Sequence, residues 1–240
     1  MATNKKVTRV ASSTESSVST PKWTPTAEAK GRASKNRLIA VGLWVLAILA
    51  QIVGIMILVK NPTPLTTGLR VWLIVALVID LIFLIIGSSF WKKANRLDPA
   101  SKQNALAFTI QSQAGVGVAV LAFLPVVILA FIKKEYIVGA IATALMIGGG
   151  AASADYHAPS VEEYTEQTNR VEELTGGNHV YWTKSGKKYH LYNDCSAINT
   201  NKTDEIFEGT VAQARELKNI TELCKFCENR AEKAKGIATE

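Results

Sequence analysis

The chain has 240 residues, of which 48% are hydrophobic, and its formal net charge is +7. Its apolar residues are gathered into blocks, which excludes a purely soluble protein. Residues 1–154 carry 16 Lys and Arg against 5 Asp and Glu, whereas residues 155–240 carry 11 against 15. The basic excess therefore belongs to the apolar part of the chain, and the acidic C-terminal part is not expected to bind nucleic acid.

The first 37 residues are polar, basic and rich in Ser and Thr. A segment with so few apolar residues cannot bury enough surface to fold, so residues 1–37 are predicted to be a disordered basic tail. No secretory signal is evident, because the first apolar run is too long for the apolar region of a signal peptide.

Four apolar blocks follow, and each is long enough to cross a hydrocarbon core of ~30 Å. The sequence therefore predicts an α-helical integral membrane protein, in which residues 38–154 form a four-helix bundle in the lipid bilayer. The predicted spans cover about 38–59, 71–90, 110–132 and 136–154.

One acidic residue, Asp80, lies near the middle of the second predicted span. A carboxyl group at this depth is costly, so it is expected to face the interior of the bundle. Gln51 lies at a similar depth in the first span and is the expected hydrogen-bond partner. A protonated Asp80 that links two helices is one interpretation, and a transporter or channel centred on Asp80 is the other.

Small residues recur at every fourth position of the last span. Such a stripe permits close approach of helices, either inside the bundle or between the subunits of a homo-oligomer. The predicted helix-packing residues are Ala140, Ala144, Gly148 and Ala152.

Residues 155–177 are predicted to form a helical stalk, because Pro159 suits a first helical turn and Gly176 and Gly177 end the helix. The alternatives are that its apolar face packs on the domain that follows or on a second copy. That domain is predicted over 178–232, and residues 233–240 are predicted to be a flexible tail. Within the domain, short strands are expected over 179–183 and 188–192 and near Ile206, with a helix capped by Thr210 and Gln213 over 211–218.

All three cysteines of the chain lie near the C-terminus, and the last two have the Cys-x2-Cys spacing of a zinc knuckle. Cys195, Cys224 and Cys227, together with His190, make a complete tetrahedral ligand set. Such a set leaves no open position, which favours a structural zinc ion over a catalytic one. A redox pair of Cys224 and Cys227 is the alternative, and His179 is a reserve ligand.

The same region resembles the Ada-type zinc-binding domain, which is best known from bacterial proteins that repair methylated DNA phosphates. Besides the four ligand positions, the resemblance is carried by Tyr181, Thr183, Gly186, Tyr189, Phe207, Ala212 and Ala214. It implies a small α+β zinc domain and covers about 178–232.

The repair proteins use four cysteines, and one of them is also the methyl acceptor. In this sequence the corresponding residue is His190, and the spacing that follows differs by one residue. Alkyl transfer needs a thiolate nucleophile, so repair chemistry is not expected and the chain is not predicted to be an enzyme.

These features predict a multi-pass membrane protein that presents a structural-zinc module for partner binding or regulation. The alternatives are a small transporter or channel that uses Asp80, and a membrane-anchored thiol or metal sensor. The expected location is the inner membrane of a bacterium, with both termini in the cytoplasm, because basic residues concentrate in 1–37 and in 91–104.

Overall fold

The computed structural model describes residues 6–9, 23–201, 203–218 and 220–236. The chain divides into two compact units. The helical unit comprises residues 30–158, and the terminal unit combines residues 1–29 with residues 159–240. The start and the end of the chain therefore belong to one folded body.

Four long helices make up the helical unit, and all four are long and apolar enough to cross a membrane. This confirms the predicted number of spans. The helices are α1 (Ala27–Lys60), α2 (Thr67–Leu97), α3 (Ala105–Ile132) and α4 (Tyr136–Ser153).

The first helix begins earlier than its apolar run. The hydroxyl oxygen of Thr26 accepts a hydrogen bond from the amide of Ala29, which caps α1 eleven residues before the predicted span at 38. Helix-forming Ala, Lys and Arg residues then carry the helix through the basic segment. The prediction of disorder is therefore wrong for residues 27–37, and its parts over 1–5 and 10–22 lie outside the described residues.

The bundle is held together by a core of leucines from α2 and by aromatic and β-branched residues from α3 and α4. Leu73, Leu77 and Leu84 are completely or almost completely buried, as are Phe123 and Val126. Large apolar side chains on the outside of α1 and α2 are instead exposed, including Leu49, Ile52 and Ile82. An apolar exterior around an apolar core is what a lipid environment requires.

The small-residue stripe of α4 does not pack inside the bundle. Ala140, Ala144, Gly148 and Ala152 are all exposed, whereas the buried residues of this helix include Gly139, Ala142, Gly149 and Gly150. At Gly149 an added Cβ would lie 2.7 Å from a methyl group of Leu81, so the absence of a side chain permits close approach of α2. Packing of the predicted stripe inside the bundle is wrong, and packing between subunits stays a prediction.

The described residues of the terminal unit after 158, together with residues 6–9, form three short helices and two small sheets. In chain order its helices are α5 (Val161–Thr175), α6 (Val211–Lys218) and α7 (Lys225–Ala234). The strands are β1 (Lys6–Arg9), β2 (Val180–Thr183), β3 (Lys188–Tyr189), β4 (Glu205–Gly209) and β5 (Glu222–Leu223).

Strand β4 is the centre of the larger sheet. It pairs in parallel with β1, where Val7 lies opposite Ile206, and antiparallel with β2, where Trp182 lies opposite Phe207. The pairing of β1 was not predicted from the sequence, which assigned these residues to the disordered tail. Strands β3 and β5 form a separate parallel pair.

The helix predicted as a stalk belongs to the core of the terminal unit. Val171 and Leu174 of α5 are buried in the same apolar cluster as Trp182 and Ile206. Arg170 forms ion pairs with Glu228 and Glu232 of α7, which attach α5 on its polar side as well. The stalk interpretation is therefore wrong, since α5 packs on the domain.

The predicted capping box of α6 is present in reciprocal form. The Thr210 hydroxyl oxygen accepts from the Gln213 amide at 3.2 Å, and the Gln213 side-chain oxygen accepts from the Thr210 amide at 2.9 Å. At the C-terminus, α7 runs to Ala234 and residues 237–240 of the predicted flexible tail lie outside the described residues.

Candidate metal centre

Strand pairing brings His190 and Cys224 together although 34 positions of sequence separate them. Tyr189 lies opposite Leu223 in the parallel pair of β3 and β5, so the residue that follows each strand lies at the same edge. The Cys224 amide donates to the Tyr189 carbonyl at 2.9 Å, which anchors this arrangement. His190 is held in turn by two backbone hydrogen bonds of 2.7 Å with Tyr181.

The other two cysteines are placed by a turn and by a helix. The carbonyl oxygen of Cys195 accepts from the amides of Ile198 and Asn199, so Cys195 lies in a tight turn after β3. Cys224 is the N-cap of α7, and Cys227 lies in the first turn of that helix. The positive end of the helix dipole therefore points toward the sulfurs and favours negative charge there.

Together the four side chains form one buried group. A ligand atom from each of His190, Cys195, Cys224 and Cys227 lies within 4.8 Å of the others, and all four residues are buried. Cys227 Sγ lies 3.7 Å from His190 Nδ1, so this ring nitrogen faces the sulfur. The group could hold one metal ion.

Burial of the site affects the protonation of His190 and Cys227. Burial lowers the pKa of His190 to about 4, so its ring nitrogen retains a lone pair near neutral pH. Burial, followed by a hydrogen bond with Cys195, raises the pKa of Cys227 to about 12. Backbone amides of Leu191 and Tyr192 have the opposite effect on Cys227, because they favour a thiolate.

The remaining histidines are not part of this group. His157 and His179 are exposed, and neither belongs to the cluster of ligand atoms. The reserve role of His179 therefore has no support from the geometry.

A surface cavity of about 330 Å³ borders the metal centre and was not predicted from the sequence. Its lining includes Cys195 and Cys227 together with Tyr192, Phe226 and Arg230. Arg230 stacks on the Tyr192 ring at 4.3 Å and pairs with Asp194 at 2.8 Å. The only sequence signal is the aromatic residue inside the Cys-x2-Cys knuckle, Phe226, whose side chain is 72% exposed.

In the helical unit, Asp80 and Gln51 are both buried, as the sequence predicts for Asp80. They do not form the expected hydrogen bond. Both carboxylate oxygens of Asp80 and the side-chain nitrogen of Gln51 lack a hydrogen-bond partner among the described residues. Matching depth in two helices was not sufficient, because the rotation of each helix decides which side chains meet.

A second buried carboxylate, Glu135, closes one end of the bundle and was also not predicted. It accepts hydrogen bonds from the Leu65 amide at 2.5 Å and from Arg70 Nε at 2.8 Å. The hydrogen bonds from Arg70 hold the pKa of Glu135 below its ordinary value, although burial acts in the opposite direction. These contacts join the loop before α2 to the turn between α3 and α4.

No family model matches the sequence, and comparisons with curated proteins and with solved structures found no similar protein.

Proposed function

We propose that this chain is a multi-pass membrane protein whose terminal unit is built around a structural zinc ion and presents a surface for a protein partner. The observation that carries the proposal is the buried group of one imidazole and three thiols within 4.8 Å of one another. Four such ligands fill a tetrahedral coordination sphere and leave no position for a substrate.

Zinc suits this group in both ligand chemistry and size. Thiolate and imidazole ligands are those that zinc prefers in closed structural sites. Tetrahedral zinc separates a thiolate sulfur from an imidazole nitrogen by about 3.6 Å. The observed separation of 3.7 Å between Cys227 Sγ and His190 Nδ1 is close to that value. In this role the ion would fasten the Cys195 turn, the end of β3 and the start of α7 to one another.

The proposal includes an Ada-like fold for 178–232, on the strength of the resemblance described above. It does not include alkyl transfer, because His190 stands where those proteins have the acceptor cysteine. A thiol sensor receives less support, since each of the three cysteine residues is at most 5% exposed.

The proposed location is the inner membrane of a bacterium, with both termini in the cytoplasm. An ion pair of 2.7 Å between Arg37 and Asp98 places the beginning of the apolar run of α1 beside the C-cap of α2. Basic residues are concentrated at this end of the bundle, where the positive-inside rule expects the cytoplasm. They are Lys30, Arg32, Lys35, Arg37, Lys92, Lys93, Arg96 and Lys102.

The proposed partner surface is the wall of the cavity beside the metal centre. Phe226 is an exposed aromatic residue, and Arg230 stacks on the ring of Tyr192. Exposed aromatic and arginine side chains on a rigid frame are typical of the central residues of protein interfaces. The metal ligands fix this frame, so loss of zinc is expected to abolish binding.

The experiment that tests the proposal begins with elemental analysis of the full-length protein purified in detergent. One zinc per chain is the expected result. Partner capture is then compared between the wild type, Phe226→Ala and Leu217→Ala, an equally simple truncation of an exposed apolar side chain on α6. The proposed surface is supported if one protein is captured by the wild type and by Leu217→Ala but not by Phe226→Ala. A chain that is folded without any bound metal contradicts the proposal.

A further inference from the structure

The four residues before α1 are attached to the terminal unit. Residues 23–26, here called the anchor segment, directly precede the helix that begins at Ala27. They belong to the same compact unit as α5 and α6. The first long helix therefore starts from a segment that the terminal unit holds.

Trp23 makes the apolar part of this attachment. Only 7% of the residue is exposed, and its ring meets the Tyr164 ring of α5 edge to face, with 5.0 Å between the centroids. The Trp23 amide donates to the hydroxyl oxygen of Thr165 at 2.8 Å. Because aromatic side chains bury large areas and dominate such contacts, Trp23 fixes the place of the anchor segment on α5.

Arg215 of α6 completes the surroundings of Trp23. Its guanidinium carbon lies 3.5 Å from the centroid of the Tyr164 ring and 5.7 Å from that of the Trp23 ring. The residue is 2% exposed, and its Nε and Nη1 atoms have no hydrogen-bond partner among the described residues. The two aromatic rings therefore stabilise this buried cation, which an aliphatic side chain at position 23 could not do.

Thr26 makes the polar part of the attachment and also begins α1. Its hydroxyl group donates to Glu216 Oε2 at 2.8 Å, and its amide donates to Glu216 Oε1 at 3.4 Å. The same hydroxyl oxygen accepts from the Ala29 amide at 3.1 Å. The carboxylate of α6 therefore holds the hydroxyl group in the orientation that caps α1.

Helices α5 and α6 pack in turn on the residues of the metal centre. Val171 of α5 and Val211 of α6 lie in one apolar cluster with Cys195, Cys224 and Cys227. A body this small is expected to lose its fold when its metal is removed. The surface that binds the anchor segment is expected to be lost with it.

We infer that the terminal unit holds the start of α1 through the anchor segment, and that release of the metal frees it. This inference rests on the proposed function, since it takes the metal centre as occupied. It adds a consequence for the membrane part, because occupancy of the metal centre then decides whether the first turns of α1 are ordered. The effect ends further along the helix, since Ala33 is buried against Ala94 and Leu97 of α2.

The test measures hydrogen exchange in the full-length protein in detergent by mass spectrometry. Amides of 27–32 report on the first turns of α1, and amides of 178–232 report on the terminal unit. Amides of 38–59 are the internal reference. Exchange is compared before and after removal of zinc by a chelator, and elemental analysis gives the zinc content of each sample.

Four variants accompany the wild type. Glu216→Ala removes the acceptor for Thr26, and Trp23→Leu removes the aromatic contact. Trp23→Phe keeps an aromatic ring and is the conservative variant. Leu217→Ala is the matched control, because Leu217 is an exposed neighbour of Glu216 on α6.

We expect chelation of the wild type to raise the exchange rate of 27–32 by about fivefold or more, which is the effect of losing a helix cap. With zinc bound, Glu216→Ala and Trp23→Leu should show the same rise while 178–232 stay protected. Trp23→Phe and Leu217→Ala should exchange as the wild type does. Amides of 38–59 should not change in any sample.

Two results would overturn the inference. One is bound zinc whose removal raises exchange in 178–232 and leaves 27–32 unchanged. The other is unchanged exchange of 27–32 in both Glu216→Ala and Trp23→Leu. A purified wild type without zinc is a different result, because it refutes the proposed function together with the metal dependence, while these two variants still decide whether the anchor segment holds α1.

Discussion

His190 is the ligand that connects the metal centre to the sheet. Its backbone pairs with Tyr181 on β2 through two hydrogen bonds, while its side chain faces the sulfur of Cys227 on α7. A change at this residue therefore affects both the coordination sphere and the contact between hairpin and helix.

Loss of a single ligand should abolish metal binding. We expect Cys224→Ser and His190→Ala to bind no stoichiometric zinc, because three ligands do not complete the closed tetrahedral site. His179→Ala is the matched control, since this histidine is exposed and lies outside the group. Elemental analysis of the three variants in detergent decides the matter, and zinc retained by His190→Ala would rule out the assigned ligand set.

Glu135 should stabilise the helical unit in a pH-dependent way. Since its pKa in the folded protein is lowered, its contribution is present above the unfolded-state pKa of about 4.3 and disappears as the pH falls through the lower folded value. Glu135→Gln should cost about 1–3 kcal/mol near neutral pH, because the Arg70 hydrogen bonds lose their charged partner.

The measurement is thermal denaturation in detergent at several pH values. The difference between wild type and Glu135→Gln should shrink below about pH 4. Lys134→Gln is a neighbouring exposed control and should behave as the wild type. A difference that stays constant down to strongly acidic pH would show that the ion pair is not its source.

At the scale of elements, local sequence signals predicted the helices and their caps. They did not predict contacts between segments that are far apart in the chain. The apolar runs predicted four helices, and Thr210 with Gln213 predicted the start of α6, because each of these signals acts within a few residues. The grouping of His190 with the three cysteines was also predictable, since the residue types and spacing of these candidate ligands reflect coordination chemistry.

What the sequence did not predict depends on partners that are remote in the chain. The residues of β1 have no apolar pattern of their own and become a strand only against β4. The stripe from Ala140 to Ala152 has the right spacing for packing, yet a different line of small residues on α4 is buried. The cavity beside Phe226 arises where a turn and a helix meet, which no single segment shows.

Helix α5 should contribute to the stability of the terminal unit. Leu174→Ala is expected to lower its free energy of unfolding by about 2–5 kcal/mol, because a buried leucine in a close-packed cluster is truncated. Glu172→Ala is the control. Glu172 lies two residues before Leu174 and is exposed, so its truncation should change the free energy of unfolding little. Hydrogen exchange of α6 and α7 amides in the full-length protein measures both effects. Unchanged exchange in Leu174→Ala would restore the stalk interpretation.

On the scale of the whole molecule, removal of the metal should unfold the terminal unit and leave the helical unit folded. A small α+β body buries little apolar surface, so metal binding and folding are expected to be a single event. A chelator should therefore make residues 178–232 sensitive to protease while 38–154 stay resistant in detergent or lipid. Fragment masses after limited proteolysis provide the measurement. Resistance of both parts after complete removal of metal would contradict this dependence.

The pairing of β1 with β4 requires that both termini lie on one side of the membrane. β1 precedes the first long helix and β4 follows the fourth, so an even number of crossings is needed for the two strands to meet. Reporters fused before Met1 and after Glu240 should thus give the same response, and the basic residues concentrated in 30–37 and 92–102 predict the cytoplasmic response. Opposite responses of the two fusions would be incompatible with the sheet.

This pairing also imposes an order on biosynthesis. Arg9 leaves the ribosome 199 residues before Glu208, the residue to which it is joined by an ion pair. At 5–20 residues per second the interval is roughly 10–40 s, during which all four helices enter the bilayer. The earliest strand of the chain therefore waits unpaired through the whole insertion process. The sheet can therefore be completed only after the four helices have been synthesised and inserted. In a chain that stalls, or that inserts with an odd number of crossings, β1 and β4 would remain unpaired. The exposed strand edge could then be recognised by proteases and chaperones.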